Sequence, residues 1–264
     1  MNASAAAHAV AQVRAAAGAM LELALPGVCA VCAMPLGRHP GPGCPLCWSR
    51  VARLPHPQCD RCGHPAPYNA EPTDPCRWCV PLPPYIRAVR SVAWMSRRGT
   101  ASALIHALKY DGWRRIAVGM GAEMARLRWP ADVHRERACL VPVPLTSARA
   151  RERGFNQADA IAQALATHWA IPVRSALCRT RMPTSQTRLT PGERTVNVTR
   201  AFTVASAGAP DVQGAHCVLV DDVVTTAATL VACATALMEG GARIVSCVTF
   251  GRAPGIGDRR SPLE

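Results

Sequence analysis

Lysine is almost missing from this 264-residue chain: of 30 basic residues only Lys109 is lysine, and the rest are arginine. Codon usage explains that bias, so the scarcity alone says nothing about ligands. Acidic residues are also few, 17 against 30, leaving a net charge of +13. Aromatic residues make up 5% of the chain, with three Tyr, three Phe and six Trp, which limits the stacking platforms open to a nucleic acid. No uninterrupted apolar stretch approaches the roughly 18 residues that a bilayer-spanning helix needs. The N-terminus lacks a basic region ahead of an apolar core, and Arg14 and Glu22 interrupt it. A signal peptide is therefore not expected. Residues 1–28 read instead as an Ala-rich helix, and the protein is expected to be soluble and cytoplasmic. There is no internal repeat beyond the cysteine pairs, and no low-complexity tract beyond the N-terminal alanines.

The charge is unevenly placed. Residues 1–85 hold 6 Arg and 4 acids, whereas residues 86–264 hold 24 basic residues and 13 acids. Residues 149–153 read RARER. Arg174, Arg179, Arg181, Arg188, Arg194 and Arg200 follow with Glu193 as the only acid among them. Guanidinium forks bind phosphate in a bidentate way, so the clusters, more than the total, point to a polyanionic ligand.

Cysteine is abundant, and it divides in two. Eight of the 13 fall in CxxC pairs: Cys29/Cys32, Cys44/Cys47, Cys59/Cys62 and Cys76/Cys79. A CxxC turn presents two thiolates to one metal, and two turns complete a tetrahedral zinc site. Four pairs therefore imply two structural zinc ions. Pairing in sequence gives tandem ribbons, and alternating pairing gives a cross-brace; sequential ribbons are preferred. Such closed sites fold a segment too small to fold alone. Cys139, Cys178, Cys217, Cys233 and Cys247 lie in apolar contexts and read as core residues.

The Pro-rich VPLPPYIR at 80–87 ends this module near residue 84. From residue 85 strand and helix patterns alternate. Strands are expected at 86–95, 138–144, 201–204, 216–222 and 243–250, and helices at 100–110, 116–127, 155–170 and 226–241. Asn156 is a candidate cap, and Gly240 with Gly241 a stop. Alternation of this kind predicts an α/β fold, a parallel sheet with helices on both faces.

The run VLVDDVVTTAATL at 218–230 then falls at the carboxyl end of a buried strand, where open α/β sheets bind ligands. The turn opens the next helix, whose free N–H groups and dipole suit a phosphate, with Thr hydroxyls to assist. Asp221 and Asp222 suit vicinal sugar hydroxyls and a Mg²⁺. A phosphorylated ribose satisfies both halves.

This run is similar to the signature with which type I phosphoribosyltransferases bind phosphoribosyl pyrophosphate (PRPP). Three further blocks, LIHALKYDG at 104–112, VPVPLTSARARERGFNQADAIA at 141–162 and RTRMPTSQTRLTPGERTVNVTRAF at 179–202, narrow the likeness. With the four CxxC pairs they resemble the ComF/GntX family over nearly the whole chain. The resemblance implies a double zinc ribbon over 29–84 and a type I phosphoribosyltransferase-like domain over 85–264. It implies PRPP binding with magnesium, and DNA handling in natural transformation (competence). Asp221 and Asp222 would bind the ribose hydroxyls, while Thr225, Thr226, Ala227, Ala228 and Thr229 would cradle the 5′-phosphate. Val143, Pro144 and Leu145 stand where the pyrophosphate loop belongs, with Arg149 to Arg153 behind it. Ser185 to Asn197 resembles a mobile hood, with Gln186 and Arg194 as contacts. Arg153 and Arg194 are the candidate pyrophosphate contacts.

One position departs from the pattern. Ala227 stands where such turns carry glycine, and a positive φ there would cost roughly 1–2 kcal/mol. If the turn needs that conformation, phosphate affinity is expected to fall. His106 and His168 read as helix-face residues with no acid/base role. Trp48 and Trp78 beside the CxxC pairs read as packing residues, with stacking on bases as the alternative. Three functions stay open. The first is a PRPP-binding, single-stranded-DNA-handling factor of transformation. The second is an active phosphoribosyltransferase with an unknown acceptor. The third is a zinc-stapled adaptor that docks a helicase or recombinase.

Overall fold

Strands that are apolar on both faces need cover on both sides, and this chain supplies it. The computed structural model describes residues 27–37, 39, 41–66, 76–80, 82–179 and 201–255. Four parallel strands, β1 (Ile86–Trp94), β2 (Arg137–Pro142), β5 (His216–Val224) and β6 (Ile244–Arg252), form a sheet in the order β1–β6–β5–β2. β3 (Leu177–Arg179) and β4 (Phe202–Val204) make a separate antiparallel ribbon. The helices are α1 (Pro45–Ser49), α2 (Thr100–Tyr110), α3 (Ile116–Ala125), α4 (Ala131–Glu136), α5 (Ser147–Arg153), α6 (Gln157–Trp169), α7 (Ala209–Val212) and α8 (Ala228–Glu239).

Alternate residues of the inner strands feed two cores. On one face Leu140, Val218, Val220, Val248 and Phe250 meet Leu104 and Leu108 of α2, Met120 of α3 and Leu165 of α6. On the other Val141, Cys217, Leu219, Val245 and Cys247 lie under Leu230, Cys233 and Leu237 of α8. Each large side chain buried this way contributes about 1.5–3 kcal/mol relative to exposure. Gly121 lets α3 approach α6 closely, because a Cβ there would lie 2.7 Å from the Cβ of Ala164 and 2.8 Å from its carbonyl carbon.

β1 is an edge strand, and residues 52–61 cover its outer side. Leu54 N–H donates to the Val92 carbonyl at 2.9 Å, Trp94 N–H to Ala52 at 2.9 Å and Val89 N–H to Arg61 at 2.7 Å. Pairing an edge with a neighbouring segment removes a template for aggregation. Trp48 packs edge-on against Phe250, with ring centroids 6.1 Å apart, and Trp78 stacks on His64 at 4.5 Å. Both tryptophans are packing residues.

Every strand and helix expected between residues 86 and 250 is found within about two residues of its expected ends, the usual scatter of such boundaries. One cysteine needs correction. Cys178 is exposed, its thiol 3.1 Å from the Thr203 hydroxyl, because it lies on the two-stranded ribbon and not under a helix. Cys139, Cys217, Cys233 and Cys247 are buried as expected. Residues 1–26 of the expected N-terminal helix, and the hood at 185–197 with Gln186 and Arg194, lie outside the described residues.

Candidate functional site

The eight CxxC thiols gather into two groups, Cys29/Cys32/Cys44/Cys47 and Cys59/Cys62/Cys76/Cys79, each with its sulfurs within 4.8 Å of one another. The pairing is sequential. Four thiolates at about 2.3 Å from a tetrahedral zinc would lie about 3.8 Å apart. Here Cys29 and Cys47 are 3.8 Å apart, Cys32 and Cys44 3.7 Å, and the facing pairs of the second group 3.5 Å. Backbone N–H groups also point at sulfur: Cys44 N–H donates to Cys29 Sγ at 3.3 Å, and Val31 N–H at 3.5 Å. Burial opposes ionisation of Cys29, but these N–H groups outweigh it and bring the thiol down to about 6. Burial and the neighbouring sulfur of Cys59 push Cys79 up to about 12. The donor set and spacing fit zinc.

The second site is built at the carboxyl end of β5. Asp221 and Asp222 are consecutive on a strand, so their side chains leave on opposite faces. Asp222 points to the α2/α6 side. It is 4% exposed, accepts from Gln157 Nε2 at 3.3 Å through Oδ1, and pairs through Oδ2 with the ammonium of Lys109. Asp221 lies towards α8, and its Oδ1 accepts the Asp222 N–H at 2.8 Å. Burial, and then the charge of Asp222, push the Asp221 carboxyl well above the usual range.

The segment RGFNQ at 153–157 explains how its partners are placed. Thr146 caps α5, accepting from Arg149 N–H at 3.3 Å, and Gly154 ends it in the left-handed region at φ 71°. Asn156 then caps α6, accepting from Ala158 N–H at 3.0 Å, while its amide donates to the Val143 carbonyl at 3.0 Å. One side chain thus starts the helix and anchors the Val143–Pro144–Leu145 turn. Val143 N–H in turn donates to Val220 at 3.0 Å, which fixes that turn beside β5. Arg153 donates to Gln157 Oε1 at 2.9 Å and lies over the Tyr110 ring, 5.0 Å from its centroid. A chain of contacts therefore runs Tyr110–Arg153–Gln157–Asp222–Lys109.

The turn after β5 is exposed at Thr225, Thr226, Ala228 and Thr229. Ala227 occupies the N-cap of α8 with φ 62° and ψ 1°, the left-handed region, and no side chain caps the helix. The first-turn N–H groups of a 12-residue helix stand at that end. With φ at 62°, Ala227 carries the strain of the left-handed region within the fold. Ala227→Gly should therefore raise stability by about 1 kcal/mol. A melting temperature about 2–4 °C higher in thermal unfolding would bear this out, and a lower one would contradict it.

The structure thus brings together Asp221, Asp222, the 225–229 turn, the 143–145 turn and Arg153. Arg149 and Arg151 lie exposed on α5, with no described contact to the carboxylates. His106 is an exposed helix-face residue whose ring lies tilted against Tyr110, 4.9 Å between centroids, and His168 is exposed on α6. Sequence reasoning missed Lys109 and Gln157. The signals were present in the rarity of lysine and in the helix-cap pattern before Gln157, but neither names a partner.

The family described as the phosphoribosyl transferase domain matches residues 152–261. The DNA utilization protein YhgH of Salmonella typhimurium is 35% identical over 232 residues, covering 84% of this chain and 96% of that protein. Its namesake from Escherichia coli K12 is 34% identical over 231 residues with the same coverage. A solved structure of the glutamine PRPP amidotransferase of B. subtilis, complexed with ADP and GMP, is 20% identical with a TM-score of 0.35. It covers 50% of this chain, which spans a quarter of that protein. With relatives matched nearly end to end, a phosphoribosyl transferase domain on a parallel sheet and two four-cysteine groups ahead of it, this chain belongs to the ComF/GntX family.

Proposed function

We propose that the end of β5 and the turn into α8 bind PRPP with Mg²⁺, and that the arginine-rich surface holds single-stranded DNA in cytoplasmic DNA handling during transformation. The observation that carries the ligand is the uncapped start of α8 directly after two carboxylates. Backbone N–H groups and the helix dipole favour a phosphate there, and the carboxylates supply hard oxygen ligands for hydroxyls and Mg²⁺. Mg²⁺ would sit with Asp221 and Asp222, where it neutralises charge on the pyrophosphate. Thr225, Thr226 and Thr229 would hold the 5′-phosphate, and Val143 and Pro144 would face the pyrophosphate with Arg153 behind them.

The names of the relatives support the DNA half, together with exposed Arg97, Arg98, Arg114, Arg149 and Arg151. Whether PRPP is consumed or only bound is a separate matter, because such transfer works by positioning and by stabilising the leaving pyrophosphate.

Calorimetric titration of PRPP with Mg²⁺ tests the ligand. Asp221→Asn should lose about tenfold or more in affinity, the worth of one charge-assisted hydrogen bond. The same variant should be more stable at neutral pH. A carboxyl raised by burial favours the proton in the fold, so its contribution is present below about pH 3.9 and lost as pH rises through the folded value. Asn removes that loss. A wild type that binds no PRPP would sink the reading. For DNA, affinity for a labelled oligonucleotide should drop about a hundredfold between 50 and 200 mM salt if roughly five phosphates are held; salt-independent binding would exclude this mode.

A further inference from the structure

Among 30 basic residues the chain keeps one lysine, and the structure sets that lysine on Asp222. Codon usage accounts for 29 arginines; it does not account for where the exception stands. An arginine fork suits a fixed, bidentate contact, whereas an ammonium on a flexible four-carbon stem is a point charge that can change partner. We propose that Lys109 is an exchangeable counter-ion, paired with Asp222 in the free protein and with the ligand's pyrophosphate in the bound one. This rests on the phosphoribosyl reading of the site and extends it.

Both carboxylate oxygens of Asp222 are engaged. Gln157 takes Oδ1 and Lys109 takes Oδ2. Asp222 is 4% exposed, so a sugar hydroxyl or a divalent cation that enters there displaces one of them. Gln157 is itself 4% exposed and clamped by Arg153 at 2.9 Å, so it is the immobile partner. Lys109 lies in the last turn of α2, with its side chain 20% exposed against 6% for Asp222, and has a path outward. A cation released from a carboxylate in such a place needs a replacement anion, since an unpaired charge there is costly. Ribose hydroxyls at Asp222 bring none, and the pyrophosphate of PRPP brings one to the same end of the sheet. With Mg²⁺ on Asp222 in the lysine's place, the exchange keeps every charge paired before and after binding. It also separates ligands with a pyrophosphate from those without.

The test uses the full chain and two probes, PRPP and ribose 5-phosphate, each with Mg²⁺. Lys109→Met keeps the stem and removes the charge. In calorimetry it should weaken PRPP about ten- to a hundredfold, the worth of one charge-assisted contact, and leave ribose 5-phosphate within about threefold. A general structural role predicts equal losses for both probes, and equal losses would overturn the exchange. So would unchanged PRPP affinity. The lone lysine gives a second readout that does not depend on the variant folding. Wild-type protein grown on ¹³C,¹⁵N-lysine has one lysine side-chain spin system, which should shift on saturation with PRPP; an unmoved signal at saturation overturns the proposal. If the wild type binds neither probe, the phosphoribosyl reading fails, and this proposal falls with it. If the wild type binds both and Lys109→Met shows no difference between them, only the exchange fails.

Discussion

A strong chelator is expected to unfold the segment built on the two cysteine groups and to lower the melting temperature of the whole protein. Structural zinc sites of this kind are worth about 10–16 kcal/mol in apparent binding free energy, and that energy is folding energy. Residues 27–66 have little else to hold them. Among them the described helix α1 is five residues long, and the buried apolar residues are Cys29, Cys47, Val51, Leu54 and Cys62. Three of those are thiols, and without a metal they would be buried beside others that repel a second charge. The two groups should not respond equally. Cys32 is exposed, whereas Cys62 is 1% exposed and belongs to the core under α8. Cys32→Ser should release metal and loosen the first group. Cys62→Ser should also destabilise the sheet, because its side chain is part of the core under α8 and a hydroxyl there would be buried. Metal content by atomic spectroscopy, read beside thermal unfolding and limited proteolysis, checks this. A metal-stripped protein with an unchanged melting curve would show that the thiols hold the fold without an ion.

The second large effect is on the ion pair at the site. Lys109→Met alone should cost about 3 kcal/mol or more, since it leaves Asp222 charged and nearly buried with only an amide for company. Lys109→Met with Asp222→Asn should recover most of that loss, because the double variant buries no unpaired charge. The coupling energy from the four proteins is the quantity to measure, by chemical denaturation with equal slopes. If the double variant is no more stable than the single one, the pair does not interact as described. The two substitutions act in opposite senses on stability and function, since the double variant would fold well and lack both the carboxylate and the ammonium. Sites that give up stability for function commonly behave this way.

Much of this fold is legible in residue order because two periods do different work. β5 and β6 read as continuous apolar runs, which only strands buried on both faces show. α2 and α6 show one apolar face each. The pieces that pattern does not reveal have little apolar burial of their own. α5 buries no residue, so RARER reads as a charge cluster although Thr146 and Gly154 bracket a helix. β3 has three residues and one buried side chain, too few for a period to appear. The site divides in the same way. Asp221, Asp222 and the Thr-rich turn are local, so sequence places them. Lys109 and Gln157 reach Asp222 across 113 and 65 positions, a juxtaposition that only the packing of α2 and α6 against β5 creates. Ala227 lies between these cases. Its identity raised the question of a positive φ, and the observed 62° answers it.

The outer strand β1 has a consequence for the order of events on the ribosome. In the sheet its only neighbour is β6, with Ser91 opposite Thr249 and their hydroxyls 2.7 Å apart. β1 leaves the exit tunnel well before its partner, whose paired hydroxyl lies 158 residues later. Such distant pairings form slowly, and an unpaired apolar strand is open to misassociation meanwhile. The segment that emerges just before β1 already holds the backbone of Val89, Val92 and Trp94. A metal-closed loop can form from neighbours alone, so it is available at once. Closed by a metal, the cysteine groups would hold the first strand in place until β6 arrives.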